Sequence, residues 1–465
     1  MNFFIFLIRI LFVLFLIYTV GFICHWMLGM FASLNRFSRF QERRSAARVA
    51  LPDSAARQLP VCAIIPAHNE QDCIVDTVES LLREDYPRLE IIVVDDGSTD
   101  GTAALLTDRF GLREDASAPI SQLHTKPVRR CFSTAIGDTR LVLVCKENGG
   151  KADALNCGLN FTQSPYCLIL DADTQIDPGS VRIMVSQFLS NDKTIICAGA
   201  VRNSLYDTPR YRRLSPASKA LVLFQMLEYY RTFYMQRILF NRFNANVIVS
   251  GAFAMFDCDL VKSVGGYRTH TIGEDMELTM RLHAFCRSQS RAYHISYAPE
   301  ASCRTQVPFR YRDFFTQRRR WHIGMIQSLH RHAYMLGRRY YGWAGILAGT
   351  SMLVYELLAP IIELLGLVTI ISGYCLHMVS LGFMLKAMGL YMMMILLCQM
   401  LFLWYLRLYR IEAMSPGKWL SLVGVSLAEC VFFHPLSMLI KLKAFLTHRK
   451  HRGTWGQIQR TNEQK

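Results

Sequence analysis

The stretch Cys167-Leu-Ile-Leu-Asp-Ala-Asp173 decides the fold class that we predict for this chain. Its apolar residues indicate a buried β-strand, and Asp171 and Asp173 follow where that strand would end. Two carboxylates at this spacing suit Mg²⁺ or Mn²⁺, which prefers oxygen ligands and commonly bridges a carboxylate to a diphosphate. Acidic turns after strands are also common without any ligand, so the rest of the chain has to decide.

Short β-rich runs alternate with helical stretches around this motif. The runs are Val61–Ile65, Ile91–Val94, Leu141–Cys145, Cys167–Leu170, Thr194–Ala198 and Val247–Phe256. Helices are predicted over Gln71–Arg83 and Lys151–Phe161. This alternation predicts an α/β domain with a largely parallel sheet that binds ligands at the carboxyl ends of its strands. The stretch Gly111–Arg140 has little periodicity and is predicted to be a loop insertion.

Long apolar segments flank the α/β domain. Phe3–Phe31 is long enough to cross a bilayer as a helix, although a cleaved signal peptide is the alternative. Three more apolar stretches follow at Trp343–Leu376, Leu381–Leu406 and Trp419–Ile440. Because Pro435 interrupts the last stretch, we expect a break or kink there. That segment is then predicted to lie along the membrane interface or to turn back, which leaves the tail cytoplasmic.

The basic residues crowd the edges of these apolar segments. Lys and Arg together number 52 against 36 Asp and Glu, a net charge of +16. Clusters lie at Arg36–Arg48, at Arg338 and Arg339, around Arg407 and Arg410, and at His448–Arg452. This placement favours cytoplasmic anchoring charges over nucleic-acid binding. We therefore predict a multi-pass protein of the inner membrane with a cytoplasmic α/β domain and 14 reduced cysteines.

These patterns divide the chain into six segments. They are an amino-terminal transmembrane helix (1–33), a basic linker (34–60), the cytosolic α/β domain (61–330), a basic juxtamembrane segment (331–342), transmembrane and interfacial helices (343–445) and a basic tail (446–465).

Polar turns end the first two predicted strands. The first is Pro66-Ala-His-Asn-Glu70, and the second lies within Val93-Val-Asp-Asp-Gly-Ser-Thr-Asp-Gly101. Asp96 could accept the imide N–H of uracil, and an acidic residue at a ribose is the familiar alternative. Ordinary turn chemistry also explains Asp, Gly and Ser at such positions.

The run Asn148-Gly-Gly-Lys-Ala-Asp153 opens a predicted helix. Exposed N–H groups and Lys151 at a helix start suit a phosphate. The run does not fit the phosphate loop of NTPases, because alanine follows the lysine. A glycine turn with a solvated lysine is the alternative interpretation.

Three acids lie in Gly273-Glu-Asp-Met-Glu-Leu278, at the start of a helical pattern over Met276–Phe285. Acids at a helix start stabilise the helix dipole, which is the simpler interpretation. The functional one makes Asp275 a general base. A carboxylate with an ordinary pKa near ~4 is ionised at neutral pH and can take a proton from a hydroxyl as it attacks.

Gln317-Arg-Arg-Arg-Trp321 combines three positively charged side chains with a planar aromatic side chain. Arginines bind diphosphate through two parallel hydrogen bonds, and a tryptophan face packs on the C–H face of a sugar. The alternative is a juxtamembrane basic patch that contacts anionic lipid.

The order of these five motifs resembles the family-two, GT-A-fold membrane glycosyltransferases, which include synthases of cellulose, hyaluronan, chitin and poly-N-acetylglucosamine. The resemblance covers nearly the whole chain. It implies an α/β GT-A domain with a Rossmann-like mixed sheet, combined with α-helical transmembrane and interfacial segments. It also implies a single inverting displacement, in which an acceptor hydroxyl attacks the anomeric carbon of a UDP-sugar and UDP leaves, with Mg²⁺ or Mn²⁺ as cofactor.

The resemblance also implies roles for individual residues. The nucleotide-sugar would contact Pro66, Ala67, Asn69, Glu70, Asp96, Lys151, Asp171 and Asp173, with Asp95 the less favoured contact for uridine. The metal would bind Asp173 and Asp171. The catalytic residues would be Asp275 as base, Glu274, and Arg320, which would steady the departing UDP. The acceptor would contact Gly251, Gln317 and Trp321.

The implied function is extension of a β-linked polysaccharide from UDP-GlcNAc or UDP-glucose, processively and with export. Transfer of one or a few sugars to a lipid-linked acceptor is the alternative, and a non-catalytic nucleotide-sugar scaffold is a remote third. The implied partners are the donor, a carbohydrate or lipid-linked acceptor and membrane lipids, without nucleic acid. Two positions depart from the common family pattern, Gly273 where threonine is frequent and His68 where tyrosine is frequent.

Overall fold

The computed structural model describes residues 2–46, 59–116, 118–120, 123–206, 208–408, 411 and 415–448. The basic tail beyond residue 448 and Arg410, both used in the charge argument, lie outside this part of the chain.

The described residues contain one ten-stranded sheet. Its strands are β1 (Val61–Ala67), β2 (Leu89–Asp96), β3 (Arg113–Glu114), β4 (Val128–Ile136), β5 (Thr139–Lys146), β6 (Tyr166–Leu170), β7 (Thr174–Ile176), β8 (Thr194–Asn203), β9 (Phe253–Asp257) and β10 (His294–Thr305). The spatial order is β3-β4-β5-β2-β1-β6-β9-β8-β10-β7. The central strands β5, β2, β1 and β6 are parallel, whereas β9 runs antiparallel to both of its neighbours. Strands β8 and β10 also pair parallel, so the sheet is mixed but largely parallel, with antiparallel pairing at β9 and at the β3, β4 and β7 edges.

Helices cover the sheet and continue in the apolar segments on either side of it. The helices are α1 (Asn2–Ala46), α2 (Ile74–Leu82), α3 (Thr102–Phe110), α4 (Lys151–Phe161), α5 (Ser180–Ser190), α6 (Pro209–Arg213), α7 (Pro216–Arg231), α8 (Arg237–Arg242), α9 (Cys258–Ser263), α10 (Glu274–Ser288), α11 (Tyr311–Arg331), α12 (Thr350–Met352), α13 (Ala359–Cys375), α14 (Leu381–Leu408), α15 (Pro416–Ala428) and α16 (His434–Thr447). Helix α1 continues to Ala46, into the segment predicted to be a linker. π-Helical turns occur at Thr232–Gln236, Ala344–Gly349, Leu353–Leu357 and Glu429–Phe433.

Two sequence predictions about the sheet are wrong. The stretch Gly111–Arg140 is not a plain loop, because it contains β3 and β4, which extend the sheet beyond β5. Strand β4 lies near the edge of the sheet, and buried and exposed residues alternate only weakly along it. The sequence therefore shows little of the apolar–polar alternation by which a strand is predicted. The predicted strand Val247–Phe256 begins only at Phe253, and the preceding residues form an irregular segment at the carboxyl ends of the central strands.

The membrane helices share one hydrophobic core with the sheet. Buried residues of α1, α14, α15 and α16 belong to the same cluster as the central strands; examples are Phe37, Leu406, Leu422 and Ile440. At the junction, the Ser33 hydroxyl bonds both Tyr405 and the backbone oxygen of Tyr234. The end of α14 therefore lies against the sheet domain, on the same side as the end of α1.

Three helices are long and apolar enough to span a membrane, judged by length and composition alone: Phe3–Ser38, Leu381–Leu408 and Pro416–Thr447. Ala344–Leu357 and Ala359–Cys375 form a further pair that bends by 52°. The break falls at Leu358, and Pro360 lies in the first turn of the second helix, where its missing N–H costs no intrahelical hydrogen bond. The break expected at Pro435 is absent, since the π-helical turn Glu429–Phe433 carries the helix past the proline.

The bent pair runs antiparallel to α1. Tyr355 contacts Phe22 and His25 of α1, whereas Gly366 lies against Phe15, so later residues of the pair meet earlier residues of α1. The connection after Cys375 therefore lies far from the sheet domain. The last helices, by contrast, stay close to it: Phe433 stacks on Phe224 of α7 at 4.6 Å, and Ala444 packs against Ile272 and Ile323.

We expect reporters fused within the chain to follow this geometry. A reporter inserted after Met378 should be active on the side opposite to the sheet domain, and one fused after Lys465 on the same side as the domain. The reason is that α13 leads away from the domain, α14 returns, and α15 and α16 pack along it. Alkaline phosphatase and green fluorescent protein fusions measure this, with a fusion after Gly137 of the sheet domain as the reference. Phosphatase activity after Lys465 together with fluorescence after Gly137 would contradict it.

Candidate functional site

A cavity of about 1930 Å³ opens at the carboxyl ends of the central strands and reaches the membrane helices. This volume is about twice the upper end of the range for small-ligand pockets, roughly 300–1,000 Å³. All of the residues to which the sequence assigned a role line it: Pro66, Ala67, Asn69, Glu70, Asp96, Lys151, Asp171, Asp173, Gly251, Glu274, Asp275, Gln317, Arg320 and Trp321. The structure thus brings the motifs together, and their individual roles stay predictions.

A cluster of charges around Lys151 lies at the centre of the cavity. The Lys151 ammonium is 2.5 Å from the Asp171 carboxylate and 3.5 Å from that of Glu274, and it donates to the Gly251 carbonyl at 3.3 Å. Burial alone would lower the pKa of Lys151, but Asp171 and Glu274 raise it above its ordinary value. The pKa of Glu274 is raised to about 7. Burial and the nearby charge of Asp275 raise it, whereas the charge of Lys151 lowers it. The lysine therefore stays charged and balances neighbouring acids.

Asp275 is fixed from two directions at the start of α10. One of its oxygens accepts from the Gly251 N–H at 3.0 Å, and the other accepts from the Met276 N–H at 2.7 Å. A side chain at position 251 would meet Asp275 and Lys151 at 3.1–3.3 Å, so glycine allows the loop to approach both. Each carboxylate oxygen keeps a lone pair, which can accept a proton from a bound hydroxyl.

Asp96 holds the glycine turn that precedes α4. Its carboxylate accepts from the N–H groups of Gly149 and Gly150 at 2.9 and 2.7 Å and from the Lys146 ammonium at 2.5 Å. Lys146 also pairs with Asp153 at 2.6 Å, and its side chain is fully buried. Burial alone would lower the pKa of Lys146, but Asp153 and Asp96 raise it. Asp96 therefore orders this turn, whatever its part in binding uridine.

Hydrogen bonds connect the turn after β1 to the turn after β2. The Asn69 side-chain oxygen accepts from the Thr99 N–H at 2.8 Å, and its backbone N–H donates to the Ser98 hydroxyl at 2.9 Å. Asn69 has a left-handed backbone with φ of 58°, which asparagine tolerates better than most residues. The Glu70 N–H likewise donates to the Thr102 hydroxyl at 3.0 Å. These bonds fix the rim of the cavity beside Pro66 and Ala67.

Asp171 and Asp173 offer only oxygen ligands at the end of β6. Asp173 is buried and accepts from the Thr174 hydroxyl at 3.3 Å, whereas Asp171 faces Lys151. Among the described residues, no group of three or more His, Cys, Asp or Glu side chains is arranged to hold a metal ion. Two carboxylates that need substrate phosphates to complete the coordination fit Mg²⁺ or Mn²⁺, since such ions are usually held that way.

The arginine-rich motif lies on α11, which lines the cavity and packs against the start of α10. The Gln317 side chain is 8% exposed, and its oxygen has no hydrogen-bond partner among the described residues. Arg318 stacks on Trp321 at 4.5 Å and pairs with Glu228 at 2.5 Å. Trp321 itself is 44% exposed, and Arg320 also lines the cavity. The exposed part of the indole is thus available to a ligand in the cavity.

A close backbone contact joins α10 to α11. A Cβ at Gly273 would lie 3.1 Å from the backbone of Gly324, and one at Gly324 would lie 2.9 Å from the Gly273 nitrogen. The Gln327 side chain also accepts from the Ile272 N–H at 2.9 Å. This contact accounts for the departure at position 273, because a threonine Cβ there would require the Gly324 backbone to shift by a few tenths of an ångström.

Sequence reasoning missed several residues of this site. Lys146 ends an apolar strand directly before a glycine turn. A lysine at the end of such a strand is the signal by which its role in the site could have been predicted. Gly324 carried no signal, because only the fold brings it to Gly273. His322 and Arg237 also line the cavity and were not singled out.

Comparisons with known proteins agree with this geometry. A family model described as Glycosyl transferase family group 2 matches residues 166–406, and one described as Glycosyl transferase family 2 matches residues 62–116. A poly-beta-1,6-N-acetyl-D-glucosamine synthase of Staphylococcus epidermidis is 29% identical over 317 residues, and one of Staphylococcus aureus is 28% identical over 318. Each match covers 68% of this chain and spans 66% of the relative's length.

The solved structure of the mannosyltransferase PcManGT from Pyrobaculum calidifontis, in complex with GDP-Man and Mn²⁺, is also similar. It has a TM-score of 0.50 and 20% identity, covering 89% of this chain and 99% of that one. At this identity the likeness concerns the fold alone, and it confirms the predicted α/β GT-A fold.

Replacing Lys146 by methionine should strongly destabilise the protein. K146M leaves Asp96 and Asp153 as buried, uncompensated charges, which costs about 3–5 kcal/mol. Thermal unfolding of the purified protein in detergent measures the effect as a lower melting temperature. K193M removes an exposed lysine and is the matched control. A wild-type melting temperature for K146M would contradict this account.

G324A should push α11 away from the start of α10. Overpacking of this kind costs about 1–3 kcal/mol, and movement of Asp275 should lower turnover as well. G389A is the control, because a Cβ there meets no atom within 4 Å. Melting temperature and rate of nucleotide release are the measurements, and equal values for the two variants would show that the glycine contact is dispensable.

Proposed function

The chain belongs to glycosyl transferase family group 2, and we propose that it extends a β-linked polysaccharide from a UDP-sugar by an inverting displacement. The observation that carries the proposal is one cavity that continues among the apolar helices and is lined by acids, a lysine and an exposed tryptophan: Asp171, Asp173, Glu274, Asp275, Lys151 and Trp321. A donor can lie at one end of such a cavity and a growing product at the other.

Asp275 is the group that we assign to proton removal. The acceptor hydroxyl attacks the anomeric carbon, a new C–O bond forms, and the bond to the diphosphate oxygen breaks with inversion. The hydroxyl proton passes to the Asp275 carboxylate, whose position is set by the N–H groups of Gly251 and Met276. A positioned base of this kind typically contributes about 10²–10⁴-fold to the rate.

Lys151 and Arg320 are the cations that we assign to the leaving diphosphate. Both line the cavity, and Lys151 stays protonated because Asp171 and Glu274 surround it. Fixed positive charge near a developing anion is usually the largest electrostatic contribution to catalysis. Asp171 and Asp173 would hold Mg²⁺ or Mn²⁺, which would add further neutralisation of the diphosphate when bound.

The donor that we favour is UDP-N-acetylglucosamine, with UDP-glucose second. The relatives whose names state an activity are poly-beta-1,6-N-acetyl-D-glucosamine synthases, although this chain spans only 66% of their length. Uridine would lie over the turns that Asn69 ties together, next to Asp96.

We infer that the product enters the membrane part. Side chains of α13, α14 and α16, among them Glu363, Tyr391 and His434, line the same cavity as Asp275. The sheet domain would then lie in the cytoplasm, as the basic clusters at the membrane edges predict. The cavity's opening among apolar helices is also compatible with a lipid-linked acceptor, so transfer of one or a few sugars is the second candidate.

Product length separates these two functions. Purified protein supplied with Mg²⁺ or Mn²⁺ and UDP-N-acetylglucosamine should release UDP and make chains longer than a few sugars, measured by gel electrophoresis and mass spectrometry. Excess EDTA should abolish the reaction. Only single additions to a lipid acceptor would reject the polymerase, and full activity in EDTA would reject the metal.

D275N should abolish turnover and leave UDP binding intact. Asparagine keeps the size of the side chain but cannot take the proton, so UDP release should fall by at least about 100-fold. The control is D259N, which changes an exposed acid in the first turn of α9. Unchanged turnover in D275N would overturn the assignment of the base.

A further inference from the structure

A basic segment without acids links α11 to the bent pair of apolar helices. Residues 330–343 include Arg331, Arg338 and Arg339 and contain no Asp or Glu. All three arginines are exposed, and none of their side chains forms an ion pair or hydrogen bond with another described residue. Tyr340 and Trp343 lie in the same segment and are 59% and 51% exposed. The segment therefore presents unbalanced positive charge together with aromatic rings.

This segment lies where the bent apolar pair begins. It ends at Trp343, and the later residues of the pair lead away from the sheet domain. Its backbone is seated on the first turn of the pair: the Gly337 N–H donates to the Gly345 carbonyl at 3.0 Å, and a Cβ at Gly345 would collide with the Met335 carbonyl. Tyr and Trp are typical of membrane–water interfaces, and anionic headgroups attract arginines near the surface. The exposed face therefore fits a surface of anionic lipid.

The other face of the segment packs along α10, whose first turn contains the proposed base. His332 is 2% exposed, and its Nε2 lies 3.3 Å from the Glu277 carboxylate. Met335 belongs to the same buried cluster as two methionines of α10. At the far end of that helix, the Tyr340 hydroxyl donates to the Arg287 carbonyl at 3.2 Å. A displacement of the segment would therefore disturb α10 along its whole length.

We propose that the exposed face of residues 330–343 binds anionic phospholipid headgroups, and that this contact holds the segment against α10 and so raises the rate of sugar transfer. The exposed arginines repel one another, and Glu277 does not balance them because Arg268 and Arg281 already pair with it. Headgroup phosphates supply the missing negative charge. Lipid binding itself is independent of the proposed function, whereas the effect on the rate rests on it.

Reconstitution in defined lipid tests the proposal. The full chain is placed in nanodiscs of phosphatidylcholine, alone or with about one third phosphatidylglycerol, and UDP release is measured. Phosphatidylglycerol should raise the wild-type rate by about fivefold or more, since a single arginine near an anionic surface contributes about this factor. R331Q/R338Q/R339Q should lose most of the increase, whereas R331K/R338K/R339K keeps the charge and should retain it. Inorganic phosphate added to phosphatidylcholine discs should not replace the lipid.

The matched control is R113Q/R129Q/R130Q, which removes three exposed arginines from β3 and β4 and should respond to phosphatidylglycerol as the wild type does. An increase retained in R331Q/R338Q/R339Q, or lost equally in the control, would overturn the proposal. A rate restored by inorganic phosphate would show a soluble anion site instead and would also overturn it.

A lipid count separates failure of this surface from failure of the proposed function. Native mass spectrometry of protein released from the mixed discs should find fewer retained phosphatidylglycerol molecules on R331Q/R338Q/R339Q than on the control. Equal counts would overturn the lipid surface even if the rate depends on lipid. Counts that fall in the variant while no disc supports UDP release would instead reject the proposed function and leave the lipid surface standing.

Discussion

The ion pairs of Lys151 with Asp171 and Glu274 are the interactions on which the site depends. The Lys151 ammonium joins the start of α4, the end of β6, the loop before β9 and the start of α10 through Asp171, Gly251 and Glu274. Without this cation, the acids at the carboxyl ends of the strands would repel one another in a poorly solvated cavity. The lysine therefore holds these acids close together and supplies positive charge where a phosphate-bearing ligand would lie.

Much of this arrangement could be predicted from the sequence, because its motifs follow strands. Parallel strands end at the same edge of a sheet, so polar turns after β1, β2, β5 and β6 had to converge. Helix α4 begins and ends at the predicted residues, Lys151 and Phe161. The strand order, and with it β4 and the antiparallel β9, depends on packing between distant segments that have no local periodicity to reveal them. The same holds for the contact between Gly273 and Gly324.

The two prolines of the membrane part show why local rules were insufficient there. Pro435 was expected to interrupt its helix, yet the π-helical turn before it absorbs the missing hydrogen bond and the helix continues against α7 and α11. No break is predicted at Pro360, yet the 52° bend lies beside it. A proline's effect on a helix thus depends on the neighbouring turn and on packing, and both are properties of the folded molecule.

The core shared by the sheet and the last helices has a consequence for biosynthesis. Residues such as Leu422 and Ile440 complete the same apolar cluster as the central strands, although more than 250 residues separate them from β6. The sheet domain leaves the ribosome long before these helices are made, with part of its apolar surface still uncovered. Its maturation therefore has to wait for the last helices, and excision of the sheet domain alone yields a fragment prone to aggregation.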